Sequence, residues 1–214
     1  MNKYYFGECM ISIEDAKKIC RIDQQKKLAE ELGMTEWIKY LNRDTYIDEK
    51  LQVLRLLKLD TLTDQKILDI GAGLGHFGSL CKHYNHSYLG TYFGKTNADL
   101  EPFHKDAGID SVECGLFPRY DKKIPSGPWD CIIILRTTLE LNQEWTATDW
   151  LELKEECMKN LNLGGQLFIK SNLVIDNTDK YGSLERLCQE RIREAFTETP
   201  LPLWRYFTFH WIKE

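Results

Sequence analysis

Ile67-Leu68-Asp69-Ile70-Gly71-Ala72-Gly73-Leu74-Gly75-His76-Phe77-Gly78 is the stretch on which the fold turns. Residues 67–70 read as a short apolar strand carrying one aspartate. Glycines then fall at 71, 73 and 75, and the spacing passes into that of a helix over 75–84. Glycine admits positive φ and lets a ligand approach the backbone where a Cβ would block it. The first amides of the new helix have no intrahelical acceptor and point at whatever lies before it. The segment therefore predicts a strand–turn–helix unit built around a ligand.

Outward from this unit, short apolar runs alternate with longer amphipathic segments. Strands are predicted at 87–93, 111–114, 130–135, 165–170 and 205–212, and helices at 97–106, 149–161 and 184–196. That alternation specifies an α/β fold, a doubly wound and mainly parallel sheet with helices on both faces. The unbroken run Cys131-Ile132-Ile133-Ile134-Leu135 suits a central strand covered on both sides. Upstream, residues 1–60 read as a helical N-terminal extension. Ser12-Ile13-Glu14-Asp15 resembles a capping box with Asp in the acidic place, opening a helix with Ala16, Ile19 and Cys20 on one side. Thr35 is read as the cap of a short helix bearing Trp37, Ile38 and Leu41. Asp44 or Thr45 starts a third, with Leu51, Leu54 and Leu57 marking its face. The expected division is 1–60 as a helical cover over a substrate pocket and 61–214 as the ligand-binding domain. In such sheets the ligand lies at the carboxyl ends of the strands, where strand order reverses.

Composition narrows the function classes. The 214 residues carry a formal net charge of −5, which disfavours a protein that grips nucleic acid through broad electrostatics. No stretch approaches the roughly 20 apolar residues of a membrane span. Met1-Asn2-Lys3-Tyr4-Tyr5-Phe6 lacks the apolar run of a secretory signal. Seven cysteines, at 9, 20, 81, 114, 131, 157 and 188 and without a CxxC pair, read as reduced thiols of a cytoplasmic protein. Cys81, His83 and His86 lie close together, but no second ligand pair accompanies them, so no metal is expected. Nothing in the sequence fixes the oligomeric state.

Two nucleotide cofactors compete for the glycine loop. Gly73-Leu74-Gly75-His76-Phe77-Gly78 satisfies the GxGxxG dinucleotide pattern, which also expects an acidic residue about 20 positions on. The second strand ends Leu89-Gly90-Thr91-Tyr92-Phe93, without a carboxylate, and no hydride-transfer domain is recognisable beyond the loop. By contrast, Leu68-Asp69-Ile70-Gly71-Ala72-Gly73-Leu74-Gly75 resembles motif I of the class I S-adenosylmethionine-dependent methyltransferases. Tyr88–Phe93 looks like that family's second strand, and Trp129-Asp130-Cys131-Ile132-Ile133-Ile134 like its fourth. Leu161-Asn162-Leu163-Gly164-Gly165-Gln166-Leu167-Phe168-Ile169 looks like the turn into its fifth, with Leu163 in the usual proline's place. The resemblance covers about residues 60–170, and the ordered set is more specific than any one motif.

The resemblance implies a Rossmann-like methyltransferase fold, S-adenosylmethionine as cofactor and methyl transfer to a small-molecule acceptor. A catalytically inactive binding or partner protein and an RNA methyltransferase are the alternatives, nucleic acid being the less favoured partner. It places Asp69 at the methionine amino end and Gly71, Ala72, Gly73 and Gly75 beneath the methionine and ribose. His76, Phe77, Tyr92, Phe93, Leu116, Phe117 and Arg136 would border the cofactor. Glu140, after strand four, and His76 are the candidate general bases, with His210 on the last strand a further one. Tyr92 stands where the family usually has the acidic residue that accepts from both ribose hydroxyls. Losing such charge-assisted bonds removes on the order of 1.5–3 kcal/mol, about tenfold to a hundredfold in affinity.

Overall fold

The computed structural model describes residues 11–92, 99–114, 124–136, 145–174, 183–196 and 206–214. Four helices precede the sheet: α1 (Ile13–Ile19), α2 (Ile22–Glu31), α3 (Thr35–Leu41) and α4 (Asp44–Leu56). Ser12 caps α1 as its sequence predicts, its hydroxyl accepting from the Asp15 amide at 3.1 Å. Arg21 then takes the left-handed conformation (φ 53°), and α2, which the sequence reading did not mark, starts directly after it. Thr35 is the first residue of α3 rather than its cap, which is Met34 without a side-chain bond.

The remaining elements are β1 (Lys66–Asp69), α5 (His76–His83), β2 (Ser87–Tyr92), α6 (Glu101–Asp106), β3 (Asp110–Glu113), β4 (Trp129–Leu135), α7 (Ala147–Lys159), β5 (Leu161–Val174), α8 (Ser183–Ala195) and β6 (Tyr206–Ile212). They form one six-stranded sheet in the order β3-β2-β1-β4-β5-β6. β1 to β5 are parallel, and β6 runs antiparallel along β5. This is the doubly wound, mainly parallel sheet that the alternation predicts. β5 begins earlier than expected, at Leu161, because Leu161 pairs with Trp129 and the chain then bulges before Gln166 pairs with Cys131. Gly164 turns in that bulge at φ 76°, and Leu163 projects from it 80% exposed.

β4 shows why its sequence is apolar without alternation. Cys131 and Ile133 enter one core cluster, while Ile132 and Ile134 enter the other. The first cluster joins the N-terminal helices, through Ala16, Leu51, Leu54 and Leu57, to Phe77 and Leu80 of α5 and Phe168 of β5. The second joins Trp150 and Leu153 of α7 and Ile192 of α8 to β4, β5 and β6. Helices thus cover both faces, and strand order reverses beside β1, where β2 and β4 flank it. No described helix is long and apolar enough to cross a membrane.

Candidate functional site

At the carboxyl ends of β1, β2 and β4 lies a cavity of about 270 Å³, at the switch point where ligands of such sheets bind. The glycine loop forms its floor through Gly71, Ala72, Gly73 and Leu74. Gly71 and Gly73 take φ values of 84° and 55°, which side chains rarely adopt. A Cβ built on Gly73 would meet no protein atom, so the cavity comes up to the bare backbone there. Strand β2 fixes the loop from one side, because Thr91 accepts from the Gly71 amide through Oγ1 (3.1 Å) and from the Ala72 amide through its carbonyl (2.9 Å).

Side chains from the helices hold the same loop from behind. The Gln25 amide of α2 donates to the Leu74 carbonyl at 3.3 Å, and its Oε1 lies 2.7 Å from His76 Nε2. Because the Gln25 amide nitrogen is turned to a carbonyl, its oxygen must accept, so His76 Nε2 carries the proton. His104 Nε2 contacts the Gly73 carbonyl at 2.7 Å. Burial holds the His76 imidazole down at about 3, neutral at physiological pH. His76 lines the cavity, yet its Nε2–H is committed to Gln25, so the geometry assigns it to anchoring the loop rather than to taking a proton through that nitrogen. Gly75 and Gly78 are used for packing. A Cβ on Gly75 would meet Ile109 Cδ1 at 2.7 Å, and one on Gly78 would overlap the Tyr88 ring.

Asp69 ends β1 and is 2% exposed. Tyr88 donates its hydroxyl to Oδ2 at 2.6 Å, while Oδ1 is buried and bonded to none of the described residues. Burial pushes this carboxyl up to about 6, against the Tyr88 hydrogen bond and the charge of Lys50. A buried carboxylate oxygen without a donor costs free energy unless a ligand supplies one.

The opposite wall comes from the N-terminal helices. Trp37 and Tyr40 of α3 and Tyr46 of α4 line the cavity as a chain of rings, with centroids 5.5 and 4.9 Å apart. Beside them lie Glu49 and Lys50. Glu49 Oε1 stands 3.0 Å from Arg136 Nε and 2.5 Å from Lys170 Nζ. Lys170, on β5, is 1% exposed, and burial lowers it to about 8 against the pull of Glu49. Arg136 follows β4 in the left-handed conformation (φ 49°).

Of the residues predicted for the site, Asp69, Gly71, Ala72, Gly73, His76, Phe77, Tyr92 and Arg136 come together around this cavity. Gly75 stands behind it. Phe93, Leu116, Phe117 and Glu140 lie outside the described residues. His210 lies elsewhere, its Nε2 2.9 Å from Gln166 Oε1 near the opposite end of β5. His86 contacts the Leu59 carbonyl at 2.7 Å. Sequence reasoning missed Trp37, Tyr40, Tyr46, Glu49, Lys50 and Lys170. Lys170 alone left a signal, a charge closing the apolar run Gly165-Gln166-Leu167-Phe168-Ile169.

No family model and no curated protein matches this sequence. Solved structures do resemble the fold. A candidate O-methyltransferase from Nostoc punctiforme aligns at a TM-score of 0.54 with 14% identity, covering 78% of this chain and 56% of that one. A methyltransferase from Pyrococcus furiosus aligns at 0.48 with 16% identity, covering 75% and 82%. An amino pentose methyltransferase from Micromonospora echinaspora, solved with S-adenosylmethionine bound, aligns at 0.48 with 17% identity, covering 63% and 54%. The match thus spans about half the length of the Nostoc and Micromonospora proteins. The chain has the Rossmann-like fold of the class I S-adenosylmethionine-dependent methyltransferases.

Proposed function

We propose that this protein binds S-adenosylmethionine and transfers its methyl group to a small-molecule acceptor. One observation carries the reading: the buried Oδ1 of Asp69, without a partner among the described residues, lies beside a positive-φ glycine loop at the switch point of the sheet. A carboxylate in that place asks for a cationic N–H donor, and an α-amino group meets the need.

The cofactor supplies an electrophilic methyl group on a sulfonium sulfur. In the reading proposed here, Asp69 holds the amino group, Gly71, Ala72 and Gly73 leave room along the floor, and Phe77, Tyr92 and Arg136 border the remainder. Trp37, Tyr40 and Tyr46 form the acceptor wall, offering flat apolar surface that orients an acceptor and keeps water away. Positioning and exclusion of water supply most of the rate when the nucleophile is already good. Glu140 is kept as the base for an acceptor that must lose a proton.

Calorimetric titration with S-adenosylmethionine and S-adenosylhomocysteine tests the reading. Saturable binding of both is expected. Absence of binding of either at millimolar concentration overturns it, and retention of NADH in their place favours a dinucleotide. Tyr92, in place of a carboxylate at the end of β2, favours one second reading, a binding protein without catalysis. That reading predicts cofactor binding without methyl transfer to any of a panel of small hydroxyl, amine and carboxylate acceptors.

A further inference from the structure

Asp69 has a counterpart on the other side of the cavity. Lys50 projects from α4 into the same space, half-buried, and burial pulls its ammonium below the ordinary lysine value. Its contacts are a long hydrogen bond to the Tyr46 carbonyl (3.4 Å) and the Tyr46 ring (5.7 Å to the centroid). The neighbouring carboxylate of Glu49 is engaged instead by Arg136 and Lys170. Asp69 and Lys50 feel each other's charge without forming an ion pair. The other groups acting on Lys50 are Glu49, Cys20 and Arg136.

Among the described residues, then, a buried carboxylate oxygen without a donor and an ammonium with spare donors belong to two side chains that line one cavity. A ligand group that satisfies both must present an ammonium to one and a carboxylate to the other. Tyr92 closes β2, the sequence from 93 to 98 (Phe-Gly-Lys-Thr-Asn-Ala) holds no carboxylate, and Glu49 and Asp69 are the carboxylates among the described lining residues.

We propose that Asp69 and Lys50 form a clamp for an α-amino-acid zwitterion, by which this site holds the amino-acid end of its cofactor. The proposal rests on the function proposed above. It makes Lys50, from a helix outside the glycine-loop unit, the residue that binds the carboxylate. Charge-assisted hydrogen bonds of this kind change affinity about tenfold to a hundredfold.

The test compares S-adenosylhomocysteine with 5′-methylthioadenosine, which keeps the adenosine and lacks the amino acid, by calorimetry on the full chain. Wild type should bind S-adenosylhomocysteine at least about tenfold more tightly than 5′-methylthioadenosine. Lys50→Met should weaken S-adenosylhomocysteine about tenfold or more and leave 5′-methylthioadenosine within about twofold, while Lys50→Arg keeps most of the preference. Thermal unfolding checks that the variants fold, and the wild-type comparison stands without them. Equal wild-type affinity for the two ligands, or an equal loss of both in Lys50→Met, overturns the clamp while leaving cofactor binding intact. Failure of wild type to bind either ligand overturns the proposed function as well.

Discussion

Asp69→Asn separates what the carboxylate does for the ligand from what it does to the fold. The folded carboxyl sits at about 6 against an ordinary value of 3.8, and the residue is 2% exposed. Between those values the folded protein keeps a proton that the unfolded chain has released. Stability therefore falls as pH rises through that window and stays lowered above it. A difference of about 2 in pKa at 1.36 kcal/mol each is ~3 kcal/mol at neutral pH. Asparagine carries no charge and its carbonyl can still accept from Tyr88, so the variant escapes the penalty. At pH 7.5 without ligand, Asp69→Asn should be about 2–3 kcal/mol more stable than wild type, roughly 5–10 °C in Tm for a chain of this size. By pH 4, where wild type is itself neutral, the difference should shrink to within ~1 kcal/mol. Urea unfolding at the two pH values measures it, and calorimetry should show S-adenosylhomocysteine weakened at least about tenfold. A variant no more stable than wild type at pH 7.5, or an advantage that does not depend on pH, would refute the reasoning. The expected result is a site kept strained for binding.

Gly78→Ala places a Cβ against the Tyr88 ring, which must shift away from Asp69; a loss of about 1–3 kcal/mol in urea unfolding is expected. Gln25→Leu leaves the His76 Nε2–H and the Leu74 carbonyl without their partner, and should lose about 1–3 kcal/mol together with measurable cofactor affinity. Lys170, held at about 8 against an ordinary 10.5, binds its proton more weakly folded than unfolded, so wild type should gain stability as pH rises from 8 to 10.5. Lys170→Met should lack this component, and the difference between the two proteins across that window, by thermal unfolding, is the measurement.

The sheet was legible because its signals are local. The run at 131–135 states its own burial, and Asp69 with Gly71 and Gly73 states a strand meeting a loop without side chains. The glycine pattern was legible for a mixed reason. Gly71 and Gly73 face the cavity, but Gly75 and Gly78 complete the spacing because Ile109 and Tyr88 need the room. The break at Arg21 left no trace, since no glycine marks the left-handed turn. Glu49 and Lys50 were invisible for another reason. Within Asp44–Leu56 they look like any charged helix face in solvent, and only packing of α4 over the ends of β1, β4 and β5 brings them to the site.

That packing also bears on the division at residue 60. Leu51, Val53, Leu54, Leu57 and Leu59 share a cluster with Ile67, Ile133 and Phe168, so the N-terminal helices form one layer of the sheet's own core. The same helices supply Gln25 behind the glycine loop, Trp37, Tyr40 and Tyr46 along the cavity, and Lys50 across from Asp69. A shift of this layer changes loop support, aromatic wall and ammonium together, because side chains in a close-packed interior move as a body. In the function proposed above, acceptor fit and cofactor affinity would thereby be tied to one element. Substitutions in α3 that reshape the aromatic wall should alter S-adenosylhomocysteine affinity in proportion to how far they displace α4, and a wall variant that keeps α4 in place should leave that affinity unchanged.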